Sequence, residues 1–74
     1  MDVTVKLFAD LRKGKEKEIK AELSDNTTVK DVIQSLDILP EDVAISFING
    51  RDANQDQSLQ PGDTLSLFPP VGGA

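Results

Sequence analysis

Residues 27–36 read TTVKDVIQSL, and they hold the clearest helical period in the chain. Val29, Val32, Ile33 and Leu36 recur at i, i+3, i+4 and i+7, which gathers them on one stripe of a helix about two turns long. Thr28 stands at the N-cap position with Asp31 three residues on, so hydroxyl and carboxylate can each satisfy the other residue's backbone N–H. Asp takes the place of the usual Glu in this capping box. Pro40 has no N–H to give and limits continuation beyond Asp37. A helix with one apolar stripe must lay that stripe on another element, and the flanking segments supply one.

On the amino-terminal side, DVTVKLF (residues 2–8) alternates apolar Val3, Val5 and Leu7 with Asp2, Thr4, Lys6 and Phe8, the pattern of a half-buried strand. After a connection through Gly14, EKEIKAEL sets Ile19, Ala21 and Leu23 against Glu18, Lys20 and Glu22, a second strand that pairs with the first as a hairpin. On the carboxyl-terminal side, VAISFI (43–48) is an apolar run ending at Asn49-Gly50, a pair suited to a tight turn. Phe47 and Ile48 are adjacent, so only one of them can face the core. Val43 and Ile45 share the face of Phe47, which favours Phe47 inward. Residues 51–60 read as polar and irregular, Pro61-Gly62-Asp63 as a turn, and TLSLF (64–68) as a last strand with Leu65 and Leu67 inward and Ser66 and Phe68 outward. The order β-β-α-β-β predicts an α+β fold, a mixed four-stranded sheet with one helix packed across it, in which the last strand runs parallel beside the first. Residues 1–68 form the domain; residues 69–74 form an extended, flexible tail.

Composition removes most chemistries. The 74 residues contain neither cysteine nor histidine. Thiol and imidazole catalysis and the usual zinc sites are therefore excluded, and no stretch has the spacing of a calcium loop, so no metal site is expected. Glu41-Asp42 follows Pro40 at a turn, where acids solvate the chain, and no hydroxyl stands with a lysine in a nucleophile arrangement. The net charge of −5 argues against binding a phosphate backbone. Residues 1–24 hold six cations and five anions, while residues 25–74 hold Lys30 and Arg51 against eight acids. The basic cluster at residues 12–20 is interleaved with Glu16 and Glu18 and lacks aromatic neighbours, so it reads as a solvated turn and strand face rather than a nucleic-acid patch. No apolar run reaches the length of a signal peptide or membrane span, which predicts a cytoplasmic protein without membrane contact, monomeric when free.

The chain finishes FPPVGGA (68–74). Pro69 and Pro70 cannot donate backbone hydrogen bonds and favour an extended conformation, so they end the sheet and project the last four residues away from the domain. Gly72 and Gly73 carry no side chain, so a narrow channel in a partner could close around the backbone and reach a terminal carboxylate. Six extended residues from Pro69 span roughly 20 Å. A frayed terminus is the plainer reading of the same composition.

KLFADLR, TTVKDVIQSL, FINGR, LQPGDTLSLFPPV and the terminal Gly-Gly together resemble the MoaD/ThiS-type sulfur-carrier family, which includes the small subunit of molybdopterin synthase and the thiamine sulfur carrier. The resemblance covers essentially the whole chain. It implies the ubiquitin-like β-grasp fold and a protein that is not an enzyme but a co-substrate. A ubiquitin-activating-type enzyme, using ATP and Mg²⁺, would adenylate the terminal carboxylate. A sulfur donor enzyme would convert it to a thiocarboxylate, and a synthase of the molybdopterin synthase large-subunit or thiazole synthase type would accept the sulfur. No cofactor bound by the chain itself is implied. Val71, Gly72 and Gly73 would thread the channel, with Phe8, Phe68, Pro69 and Pro70 docking the domain. Phe8 and Phe68 either form an exposed apolar patch or pack on each other or under a loop.

Ala74 departs from the family pattern, which ends on Gly-Gly. Either Ala74 is removed to expose Gly73, or the Ala74 carboxylate is activated directly; a channel shaped for glycine favours removal. Sulfur transfer in molybdopterin, tungstopterin or thiamine synthesis is the leading expectation, with Phe-Pro-Pro-Val leaning toward the molybdopterin branch. A ubiquitin-like modifier joined through Gly73 and a non-covalent interaction module with an inert tail are the alternatives.

Overall fold

The computed structural model describes residues 1–12 and 14–70. Strands β1 (Asp2–Leu7) and β2 (Glu18–Glu22) are followed by helix α1 (Val29–Ser35) and strands β3 (Ile45–Ile48), β4 (Arg51–Asp52) and β5 (Thr64–Phe68), with 3-10 turns at Ala9–Arg12 and Pro40–Asp42. The sheet order is β2-β1-β5-β3-β4. β1 and β2 form the expected antiparallel hairpin, Val3 opposite Ala21 and Val5 opposite Ile19. β5 runs parallel to β1 at the centre, Val5 beside Leu65 and Leu7 beside Leu67, so the two most apolar strands are neighbours. Val5, Leu65 and Leu67 are completely buried, as are Val29 and Ile33 from the helical stripe.

Two expectations are corrected. The sheet has five strands rather than four. Asn49 (φ 54°) and Gly50 (φ 82°) reverse the chain tightly enough to lay Arg51 opposite Ile48 and Asp52 opposite Phe47. A two-residue polar strand has no period that a sequence could show. The second correction concerns facing: Ile48 is buried and Phe47 half-buried on the other side of the sheet. Ile48 lies opposite Leu65, and Ser46 opposite Leu67, so pairing with β5 forces the even-numbered residues of β3 inward. Val43 is buried too, but it closes the 3-10 turn, and both Ala44 and Ile45 are exposed. The alternation slips by one residue there, so counting from Val43 gives the wrong face.

The helix ends are closed by backbone chemistry. Asp31 N–H donates to the Thr28 hydroxyl (3.2 Å) and Thr28 N–H to the Asp31 carboxylate (3.1 Å). Val29 and Lys30 N–H, which have no partner within the helix, donate to the carbonyls of Gln57 (3.0 Å) and Gln55 (2.9 Å). The loop before β5 therefore serves as the cap of α1, and it buries Leu59 beneath itself. At the other end Asp37 adopts φ 61°, Ile38 N–H reaches back to Ile33 C=O and Asp37 N–H to Gln34 C=O. These paired bonds form a Schellman stop with Asp where glycine is usual, and buried Ile38 completes its apolar contact.

Candidate functional site

The face of the sheet opposite α1 carries the candidate site. Phe8 follows β1 directly, Phe68 closes the parallel neighbour β5, and Phe8 N–H donates to Leu67 C=O (3.2 Å). On the other side Ala44 N–H donates to Phe68 C=O (2.9 Å), so the Leu67–Phe68 pair is held by backbone bonds to both sides, Leu67 toward β1 and Phe68 toward the segment entering β3. The ring of Phe8 stacks on that of Phe68, centroids 4.3 Å apart and planes within 11°. Phe47 meets Phe68 edge-on, at 5.6 Å and 75°. The three phenylalanines of the chain thus form one aromatic cluster, each ring half-buried and half open to solvent. Ile45 lies opposite Phe68 and adds an exposed aliphatic side chain, 39% accessible.

Both readings of Phe8 and Phe68 therefore hold together: they pack on each other and still present an apolar surface. A shallow hollow of about 290 Å³ adjoins it, lined by Lys6, Leu7, Phe8, Lys17 and Glu18. Pro69 follows half-buried and Pro70 exposed, at the point where the sheet ends. Val71, Gly72, Gly73 and Ala74, the expected channel segment and sulfur-bearing terminus, lie outside the described residues. Phe47 and Ile45 escaped the sequence reading because their membership depends on the β3 facing. The one signal for them was the strand pairing, which no local pattern encodes.

Other motif residues prove structural. Asn49 Nδ2 donates to Asp63 Oδ1 (2.8 Å), Thr64 N–H donates to Asn49 Oδ1 (2.9 Å), and Gln60 N–H donates to Asp63 Oδ2 (2.8 Å). The Asn-Gly turn and the Pro-Gly-Asp turn are thus one hydrogen-bonded unit that positions the start of β5. Glu41 and Asp42 stand exposed on a 3-10 turn. Among the described residues no group of three or more His, Cys, Asp or Glu side chains is placed to hold a metal ion, and no helix is long and apolar enough to cross a membrane.

Comparison with known proteins places this geometry. The model of the ThiS family matches residues 5–73. The chain belongs to the ThiS family. No curated protein sequence matches it significantly. Among solved structures, this ThiS-family chain is similar to SAMP1 from Haloferax volcanii, with 26% identity over 100% of both chains and a TM-score of 0.77. It is also similar to a chain in the complex of subunits 1 and 2 of molybdopterin-converting factor from Helicobacter pylori, with 28% identity over 100% of both chains and a TM-score of 0.66. The ubiquitin of Caldiarchaeum subterraneum shares the fold at 17% identity, covering 100% of this chain and 98% of its own, with a TM-score of 0.65. The fold is the ubiquitin-like β-grasp, with a fifth short strand.

Proposed function

We propose that this ThiS-family chain is a sulfur carrier that works through its carboxyl terminus. The observation that carries the reading is the aromatic cluster at the root of the tail. Leu67 and Phe68 are fixed by backbone bonds to the segments on either side, and the Phe68 ring by two ring contacts, so a partner that docks on the cluster meets the root of the tail at a defined place. Half-open aromatic surface is the kind of surface that anchors binding. The partner would be a ubiquitin-activating-type enzyme that supplies ATP and Mg²⁺. A terminal carboxylate oxygen attacks the α-phosphorus of ATP and pyrophosphate leaves. Hydrosulfide supplied by a donor then attacks the acyl carbon and AMP leaves, giving a thiocarboxylate. The similarity to the subunit of the Helicobacter pylori complex supports a synthase that accepts the sulfur. The chain has no thiol of its own, so an acyl thioacid is the form of sulfur it can hold. It acts as a co-substrate in the cytoplasm, and its partners are the catalysts.

Ala74 is removed in this reading. A Cβ on the reacting residue must otherwise fit a channel shaped for glycine, and the family match ends at Gly73. Incubation with the activating enzyme, ATP and sulfide, followed by intact-mass measurement, tests both points. The form lacking Ala74 gains the sulfur-for-oxygen mass difference and full-length protein does not. Sulfur on full-length protein alone reverses the Ala74 assignment, and sulfur on neither form defeats the carrier reading. A second reading, covalent modification of other proteins through Gly73, draws on the similarity to SAMP1, whose name denotes a small archaeal modifier protein. Gly-Gly remnants on lysines of cellular proteins would single it out.

A further inference from the structure

The two edges of the sheet differ. β4, at one edge, is two residues long, whereas β2 at the other presents Glu18–Glu22 with no strand beside it among the described residues. Leu23 N–H donates to Met1 C=O (2.7 Å) and Leu7 N–H to Lys17 C=O (3.0 Å), so the odd-numbered residues of this segment bond toward β1. In an antiparallel ladder the N–H and C=O groups of Glu18, Lys20 and Glu22 then point away from the sheet. The side chains divide the same residues by face. Ile19, Ala21 and Leu23 lie half-buried against the core on the helix side, while Glu18, Lys20 and Glu22 stand exposed on the other. An added strand must offer apolar residues on the first face and complementary charge on the second.

A second copy of β2 does both in one register. We propose that two copies of this chain pair antiparallel, edge to edge through β2, about a twofold axis at Ala21. Each Lys20 then lies opposite Glu22 of the other copy, Ile19 opposite Leu23, Glu18 opposite Ser24, and Ala21 opposite its own counterpart. The ladder bonds run between residues 20 and 22, whose backbone groups are the free ones. Neighbouring registers are less favourable in charge. With the axis at Lys20, Glu18 meets Glu22 twice and Lys20 meets Lys20; with the axis at Ile19, Lys20 meets Glu18 twice but Glu16 meets Glu22 twice, which cancels the gain. Like charges directly opposite destabilise a pair, and an edge lysine ordinarily protects a strand from pairing. Here it selects the register in which it finds an acid while no two like charges face each other. The net charge of −5 on each copy opposes association, so the pair is reversible and dilute protein is monomeric. β1 separates β2 from β5, which leaves the aromatic cluster free and makes the pairing independent of the carrier chemistry.

The absence of native cysteine provides the test. In this register residue 21 and its counterpart form a non-hydrogen-bonded pair, with Cα atoms about 4.5 Å apart, within disulfide range. At millimolar concentration under mild oxidation, Ala21→Cys is expected to form a disulfide-linked dimer several-fold faster than Lys20→Cys or the remote, exposed Asp56→Cys. Equal rates, or a faster Lys20→Cys, overturn the proposal. Sedimentation of the unaltered chain should show concentration-dependent doubling of mass that Lys20→Glu abolishes and Lys20→Glu with Glu22→Lys restores, circular dichroism confirming that all three are folded. A chain that stays monomeric at millimolar concentration, or a Lys20→Glu variant that still pairs, refutes it.

Discussion

Asn49 joins two turns through three roles at once. It adopts φ 54°, its amide donates to Asp63, and its carbonyl accepts from Thr64 N–H. Asn49→Ala keeps the strained conformation and loses both bonds, so it should lower unfolding free energy by about 2 kcal/mol, read as a reduced denaturant midpoint with unchanged slope. Phe68 belongs to a different class. Its ring is half-exposed between two others, so Phe68→Ser costs the fold about 1–2 kcal/mol through lost ring contact. Affinity for the activating enzyme should fall further, by more than about thirtyfold, if the ring is a binding anchor. Calorimetry of the isolated variant and titration against the enzyme separate the two losses. A variant that is badly destabilised yet binds normally would remove Phe68 from the docking surface.

At the scale of elements, α1 shows how much a short helix owes to its ends. Seven residues are too few to be stable alone, so packing of Val29, Val32 and Ile33 and complete capping carry it. Thr28→Ala removes the reciprocal cap and should cost about 1 kcal/mol. Asp37→Gly should do the opposite. It relieves a left-handed non-glycine residue and removes a negative charge from the negative end of the helix, raising stability by about 1 kcal/mol. A lowered melting temperature would show that the Asp37 side chain contributes more than its backbone costs. The same elements show what was readable from sequence. β1, β2, β5 and α1 keep one period from end to end, so their facing followed from counting. β3 did not, because the slip between Val43 and Ile45 is set by the preceding 3-10 turn and corrected only by pairing with β5. The aromatic cluster was half legible for that reason. Phe8 and Phe68 came from alternation and the expected parallel pairing, Phe47 and Ile45 only from register.

For the whole molecule, the location of the core sets what the tail can be asked to do. The buried core, the five-stranded sheet and the aromatic cluster are all made by residues up to Phe68. The long-range backbone bonds at the end of β5 come from Phe8 N–H to Leu67 C=O and from Ala44 N–H to Phe68 C=O. A chain truncated after Pro70 therefore keeps every buried apolar contact described, and its unfolding free energy should stay within about 0.5 kcal/mol of the full-length value. It should accept no sulfur in the presence of the activating enzyme, because its new carboxylate, on Pro70, lacks the Val-Gly-Gly segment that would carry it into the channel. The aromatic cluster, the proposed docking surface, remains, which gives the truncated domain a positive activity to look for: added in excess, it should compete with full-length protein and slow the proposed conversion to thiocarboxylate. Loss of loading together with competition divides the molecule into a folded docking body and a reactive tail. Loss of loading without competition, by a domain that melts normally, would place recognition in residues 71–74 and leave the aromatic cluster as a packing feature of the sheet.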